Sequence, residues 1–229
     1  MIETNNLEKE LILQSDSIIA HSEPMIEYLS SLFQIPSRKF QSLHIFDYIG
    51  IPFAPKSKNN QKISIAFAGY LGISKKKLLD ILFSELPENA HLSYNLYGSD
   101  FPEELYHRND IAYNGSITPE TLPSILNQNN NFGLLWDEFN PLQKEYYKMI
   151  VPHKCSLYIR SLLPLIVPSN TYIGDFVDSN QIGITIDGLC HIERINLSNL
   201  HIDYGKLKDL QQKLNSGHFT IDAINRALK

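Results

Sequence analysis

Ile63-Ser64-Ile65-Ala66-Phe67-Ala68-Gly69-Tyr70-Leu71-Gly72 is the stretch that decides the fold. An apolar strand runs straight into a two-glycine turn, and Ser74 then caps a helix through Lys75-Lys76-Lys77 to about Phe83. Strand, glycine turn and helix form the repeating unit of a parallel sheet, because parallel neighbours need a crossover. Downstream the unit recurs. His91 to Tyr97 is a strand closed by Gly98-Ser99, and Ile111-Ala112-Tyr113 is a short edge strand. Thr118-Pro119-Glu120 opens a helix to about Leu126, and Phe132 to Trp136 is again a strand. Lys154 to Leu162 reads as a helix, Leu165-Ile166-Val167 as a strand, Ile173 to Val177 as a short helix and Gly183-Ile184-Thr185-Ile186 as a strand. Residues 62–205 are therefore expected to form a Rossmann-like α/β domain whose parallel sheet is covered on both faces.

Residues 206–229 read as two C-terminal helices, one near Lys206–Leu214 and a last one opened by Thr220. Upstream, Pro52, Pro55 and the polar run Lys56-Ser57-Lys58-Asn59-Asn60-Gln61 mark a linker at 53–61. Residues 1–52 form a separate region. It has leucines at helical spacing from Leu7 to Leu13 and a strand at Ser17–His21. A helix follows, capped by Ser22 with Pro24 in its first turn, and then a strand from Phe40 to Phe46.

The chain has 229 residues, a formal charge of -5 and 43% apolar residues, which is an ordinary globular composition. That charge gives no global drive toward nucleic acid, so no nucleic-acid partner is expected. Cys155 and Cys190 are too few for a disulfide framework or a cysteine-rich zinc site. The N-terminus lacks the basic start and apolar stretch of a signal peptide, and no window reaches the roughly 18–20 apolar residues of a membrane span. The expectation is a soluble cytoplasmic protein.

In an open parallel sheet, ligands bind outside the carboxyl ends of the strands. Gly69-Tyr70-Leu71-Gly72 ends one strand there, although its spacing is neither G-x-G-x-x-G nor a P-loop. Its glycines admit either a close ligand or a plain turn with positive φ, and for Gly98 the plain turn is favoured. The segment from Trp136 to Tyr158 gathers the only tryptophan, several tyrosines and Lys154 at a helix start. A helix N-terminus favours anions, and lysine is the less usual charge at that end, so Lys154 and Ser156 suit a phosphate or pyrophosphate. The histidines, His21, His153 and His191 among them, lack zinc-site spacing, and no G-x-S-x-G elbow is present. Asp137-Glu138 reads as a solvated acidic pair and Lys75-Lys76-Lys77 as a basic helix surface.

An ordered set of motifs adds to these readings. It comprises Ile18-Ile19-Ala20-His21-Ser22 with Met25 and Tyr28-Leu29, Leu43-His44-Ile45-Phe46-Asp47-Tyr48, Ala66-Phe67-Ala68-Gly69-Tyr70-Leu71 and Leu96-Tyr97-Gly98. It continues with Asn114-Gly115, Gly133-Leu134-Leu135-Trp136-Asp137 and Pro152-His153-Lys154-Cys155-Ser156-Leu157-Tyr158, before Leu163-Pro164-Leu165-Ile166-Val167. From about residue 15 to 195 this resembles the bacterial glucosyltransferase 3-like family, which glycosylates serine-rich adhesins and includes O-antigen β-1,6-galactofuranosyltransferases.

The resemblance implies a GT-B architecture, two Rossmann-like domains facing across a cleft, with the donor held mainly by the C-terminal one. Residues 1–52 would then be the C-terminal remnant of the N-terminal, acceptor-side domain. It further implies a UDP-sugar donor, UDP-glucose or UDP-galactofuranose, and a glycan or glycoprotein acceptor. Lys154 would pair with the diphosphate, Ser156 and the nearby amides would support it, Gly69 with Tyr70 would border the diphosphate or sugar, and His153 would be a further donor-binding residue. Gly98 and Ser99 would lie near the base, and Asp137 and Tyr147 near the cleft. No cofactor and no divalent metal are expected.

Two departures stand out. A complete two-domain enzyme needs roughly 300 residues or more, so the resemblance implies that the earlier strands are absent from this sequence, and no general base is expected on any of its residues. Leu163 stands where the family often has glycine. A non-catalytic nucleotide-sugar-binding or assembly subunit is the alternative reading, and an orphan Rossmann-like domain without ligand a third. Peripheral membrane association is a further expectation, as is self-association through apolar surface left uncovered at the N-terminal region.

Overall fold

A computed structural model describes residues 6–54, 62–136 and 145–229. The linker expected at 53–61 lies mostly outside the described residues, and so does Asp137. At the N-terminal end α1 (Asn6–Gln14), β1 (Ile18–Ala20), α2 (Glu23–Phe33) and β2 (Phe40–Ser42) form a small unit. Its two strands pair in parallel, with Ile18 opposite Phe40. Ser22 caps α2 as its spacing predicts, accepting from the Met25 N–H at 3.2 Å, with Pro24 in the first turn. β2 is shorter than the expected Phe40–Phe46 strand. Leu43 still donates to the Ala20 carbonyl at 2.8 Å, but His44 takes a φ of 65° and turns the chain away.

The main domain runs through β3 (Ile63–Ala68), α3 (Lys76–Asp80), β4 (Leu92–Tyr97), β5 (Ile111–Tyr113), α4 (Leu122–Asn129) and β6 (Phe132–Leu134). It continues through α5 (His153–Arg160), β7 (Leu165–Pro168), α6 (Tyr172–Asn180) and β8 (Gly183–Ile186). The strands lie in the order β5-β4-β3-β6-β7-β8, and every pair is parallel. This is the doubly wound Rossmann order. Its direction of winding reverses between β3 and β6, which opens a crevice at their carboxyl ends. Ile65 and Phe67 feed the core under α3 with Leu78 and Leu79, whereas Ala66 and Ala68 feed the core with Leu126, Tyr158 and Ile173. Burial on both faces is why these strands read as nearly continuous apolar runs.

Two helix starts differ from expectation. Gly72 winds first into a 3-10 turn over Ile73–Lys75, so Ser74 lies inside a turn and caps nothing. Thr118 and Pro119 belong to the preceding turn, and α4 opens only after Thr121, with Pro123 in its first turn.

β3 and β6 pair only at Ile65 with Phe132 and Ala66 with Gly133. Beyond that point the fully buried Tyr158 takes over, its hydroxyl accepting from the Ala68 N–H at 2.9 Å and donating to the Leu134 carbonyl at 3.1 Å. Tyr158→Phe would leave both backbone groups unpaired. The expected cost is about 1–3 kcal/mol, seen in urea as a lower midpoint with an unchanged slope.

α7 (Tyr204–Asn215), capped by Asp203 through the Lys206 N–H at 2.9 Å, buries Leu207, Leu210 and Leu214 and packs on α5. α8 (His218–Ala227) returns to the small unit and packs on β1 and β2. It opens at His218 after Gly217, not at Thr220. Asp47 accepts from the Phe219 and Thr220 amides at 3.3 and 2.6 Å, so the cap comes from a residue distant in sequence. Arg160 ties down the segment leading toward the linker. Its buried guanidinium donates to the Tyr48 carbonyl at 3.0 Å and to Asn215 at 2.6 Å, beneath the Tyr48 and Phe53 rings. Among the described residues no helix is long and apolar enough to cross a membrane.

Candidate functional site

α5 starts at the crevice with His153, after Pro152, and has no side-chain cap among the described residues. Cys155 donates back to the Pro152 carbonyl at 2.9 Å, which leaves the His153 and Lys154 amides at the open, partly positive end of the helix. From the second position of this helix, Lys154 reaches across the end of β3. Its Nζ sits 4.3 Å from the centre of the Phe67 ring, and its Cε lies 2.7 Å from where a Cβ on Gly69 would stand. Gly69 also has a φ of 136°, so the backbone disfavours a side chain there, and one would displace the end of Lys154.

Among the described residues no carboxylate pairs with Lys154. Burial, and then the charge of Lys75, push its ammonium down to about 7. Lys75 itself is part-buried, and burial lowers its pKa as well. The expectation of a basic helix surface therefore holds for the exposed Lys76 and Lys77 and fails for Lys75. Two desolvated cations beside an uncapped helix N-terminus disfavour each other, and an anion between them would reverse that balance.

The remaining loops at this end are knitted together. Gly69 donates to the Tyr97 carbonyl at 2.8 Å, Leu71 to that of Ser99 at 2.9 Å and Gly98 to that of Gly115 at 2.9 Å, while the Tyr113 hydroxyl donates to the Gly98 carbonyl at 2.8 Å. Gly98 has a φ of 152°, and a Cβ on it would run into the Gly69 carbonyl, so it is more than the plain turn its sequence suggested. Ser99 is exposed, and Tyr70, 45% exposed, folds its hydroxyl against Gly72. Tyr147 is part-buried against the apolar core, which raises its phenol pKa. Ser156 is buried and donates to the Phe46 carbonyl at 2.5 Å. Its hydroxyl proton therefore serves the junction with the N-terminal unit instead of the crevice.

That unit forms the opposing wall. Phe46 stacks on the exposed His153 at 3.9 Å and meets His21 edge-on at 4.8 Å. Ser22 donates to the Met149 carbonyl, and Glu23 accepts from the Tyr172 hydroxyl at 2.7 Å. Sequence reasoning passed over His21, Phe46 and Lys75 as site residues, and also Asn114-Gly115 beside Gly98. One signal was available for His21: it ends a strand of a second parallel pair, where the same carboxyl-end rule applies. Among the described residues no group of three His, Cys, Asp or Glu side chains comes together for a metal ion.

Comparison with known proteins shows the family and the fold. The family profile "Glucosyltransferase 3-like, C-terminal domain" matches residues 65–227. β-1,6-Galactofuranosyltransferase WbbI of Escherichia coli K12 is 22% identical over 223 residues, which cover 93% of this chain and 63% of WbbI. The chain thus spans just under two thirds of the length of that relative. Among solved structures, the apo lipopolysaccharide outer core galactosyltransferase WaaB superposes with a TM-score of 0.65 at 15% identity, covering 96% of this chain and 64% of that one. Anabaena HepE in complex with UDP and glucose superposes with a TM-score of 0.57 at 10% identity, covering 98% of this chain and 66% of that one. These likenesses assign a GT-B-type fold.

Proposed function

Because the chain belongs to the glucosyltransferase 3-like family, we propose that it binds a UDP-hexose at the β3–β6 crevice and takes part in hexose transfer to a glycan or glycoprotein acceptor. The observation that carries this reading is Lys154, a desolvated cation without a carboxylate partner among the described residues, laid over Gly69 beside an uncapped helix N-terminus. The HepE complex with UDP and glucose supports a uridine nucleotide, and the names of the family and of WbbI support glucose or galactofuranose as the sugar. In transfer, an acceptor hydroxyl oxygen attacks the anomeric carbon, the bond to the diphosphate breaks and the hydroxyl proton is released to the departing UDP or solvent. Negative charge then grows on the leaving UDP, where Lys154 and the α5 amides would lower the barrier.

The same groups supply the positive potential that a divalent cation would otherwise give. Affinity for UDP is accordingly expected to be unchanged by a chelator. Calorimetric titration with UDP and ADP in parallel tests the nucleotide assignment, with saturable binding expected for UDP and much weaker binding for ADP. Equal binding of both would refute a uridine site. Since the chain spans 63% of WbbI, the alternative of a binding subunit without its own turnover is separated by release of UDP from UDP-hexose in the presence of acceptor.

A further inference from the structure

The diphosphate reading leaves one side chain of the opposing wall without a role. His21 directly follows β1 and is part-exposed, yet its Nδ1 is buried with no hydrogen-bond partner among the described residues. One aromatic contact and the anchoring of the following residues hold the ring in place. Phe46 stands against it and stacks in turn on His153, while the next two residues are anchored through the Met149 carbonyl and through Tyr172 and His44.

A neutral imidazole carries one proton. On Nδ1 that proton would be a buried donor without an acceptor, a rarer and costlier defect than an unpaired lone pair. It therefore sits on Nε2, the nitrogen left to meet a ligand. Burial, and then the nearby His153, lower the pKa of His21 and keep the ring neutral at pH 7. An uncharged N–H donor suits a hydroxyl better than a phosphate, and the cations that suit a phosphate lie on the other wall. Through Phe46, His21 is linked to His153, the neighbour of Lys154, so a sugar carried on a phosphate held by Lys154 would lie beside this wall.

We propose that the Nε2–H of His21 donates a hydrogen bond to a hydroxyl of the donor sugar and so helps to set which hexose is accepted. This rests on the nucleotide-sugar reading above. The test is calorimetry of the full chain with UDP and with UDP-glucose, on the wild type and on His21→Ala, His21→Gln and His21→Asn. His21→Ala is expected to bind UDP-glucose roughly 3- to 10-fold more weakly and UDP as before. Glutamine carries its amide nitrogen where Nε2 stood and should retain most of the affinity, whereas the shorter asparagine should not. A long-range proton–nitrogen NMR correlation on the wild type, which needs no variant, is expected to find the His21 proton on Nε2. A proton on Nδ1, equal weakening of UDP and UDP-glucose, or no weakening of either overturns the proposal. Wild-type protein that binds neither ligand overturns the nucleotide-sugar reading itself, and this proposal with it.

Discussion

Lys154→Ala is expected to weaken UDP binding roughly 10- to 100-fold, the worth of a hydrogen bond to a charged group in a desolvated setting. The same position should show the opposite effect on stability. The ammonium has a folded pKa of about 7 against a reference of 10.5, so between those values the unfolded chain binds more protons than the folded one. Stability therefore rises with pH across that window, and the cost of the buried charge is fully present below it. Lys154→Met removes the cost and keeps the bulk of the stem. Scanning calorimetry near pH 6 should find the methionine variant melting at least about 2–4 °C higher, the shift that roughly 1 kcal/mol produces in a chain of this size, with the gap closing toward pH 10. A variant that binds UDP normally, or that is less stable at low pH, would mean that Lys154 is an ordinary structural lysine.

Gly98→Ala should be the most damaging of the glycine-to-alanine substitutions among the described residues. Its Cβ would be driven into the Gly69 carbonyl, and with a φ of 152° the backbone offers alanine no relief. Both clashing partners are main chain, so neither can swing aside as a side chain would. A loss of at least about 3 kcal/mol is expected, measured by urea denaturation. Gly115→Ala is the matched control. Among the described residues nothing lies within 4 Å of its Cβ, and its φ of 74° opposes the change, so about 1–2 kcal/mol is expected there. Similar losses at the two positions would show that the contact between the two glycine loops carries no weight.

Much of this architecture was legible because burial on both sheet faces writes strands as apolar runs cut off by glycine or proline. Ile63–Ala68 was read to the residue for that reason, and the edge strand Gly183–Ile186, only part-buried, was read to the residue from its β-branched run between glycines. Helix starts were read well where the cap is local, as with Ser22, and badly where it is not. The amides at the start of α8 are held by Asp47, and no pattern around Thr220 could announce a carboxylate that arrives through the fold. The same divide runs through the site. Lys154 beside a helix start and the glycines at strand ends are local signals, and the structure brings Lys154 and Gly69 into contact. The pressure of Lys75 on Lys154, the Phe46 stack on His153 and the diversion of the Ser156 hydroxyl to the Phe46 carbonyl all depend on packing between distant segments.

The central claim is that a desolvated lysine at the β3–β6 crevice awaits the diphosphate of a uridine nucleotide. Its most direct test is calorimetric titration of the wild-type chain with UDP near pH 8, repeated in buffers of different ionisation enthalpy. An anion against Lys154 raises the pKa of the ammonium from about 7, so binding should take up protons and weaken as the pH rises further. Saturable binding with net proton uptake that vanishes in Lys154→Met is the expected result. Absence of binding, or binding whose proton uptake is the same in the variant, would contradict it.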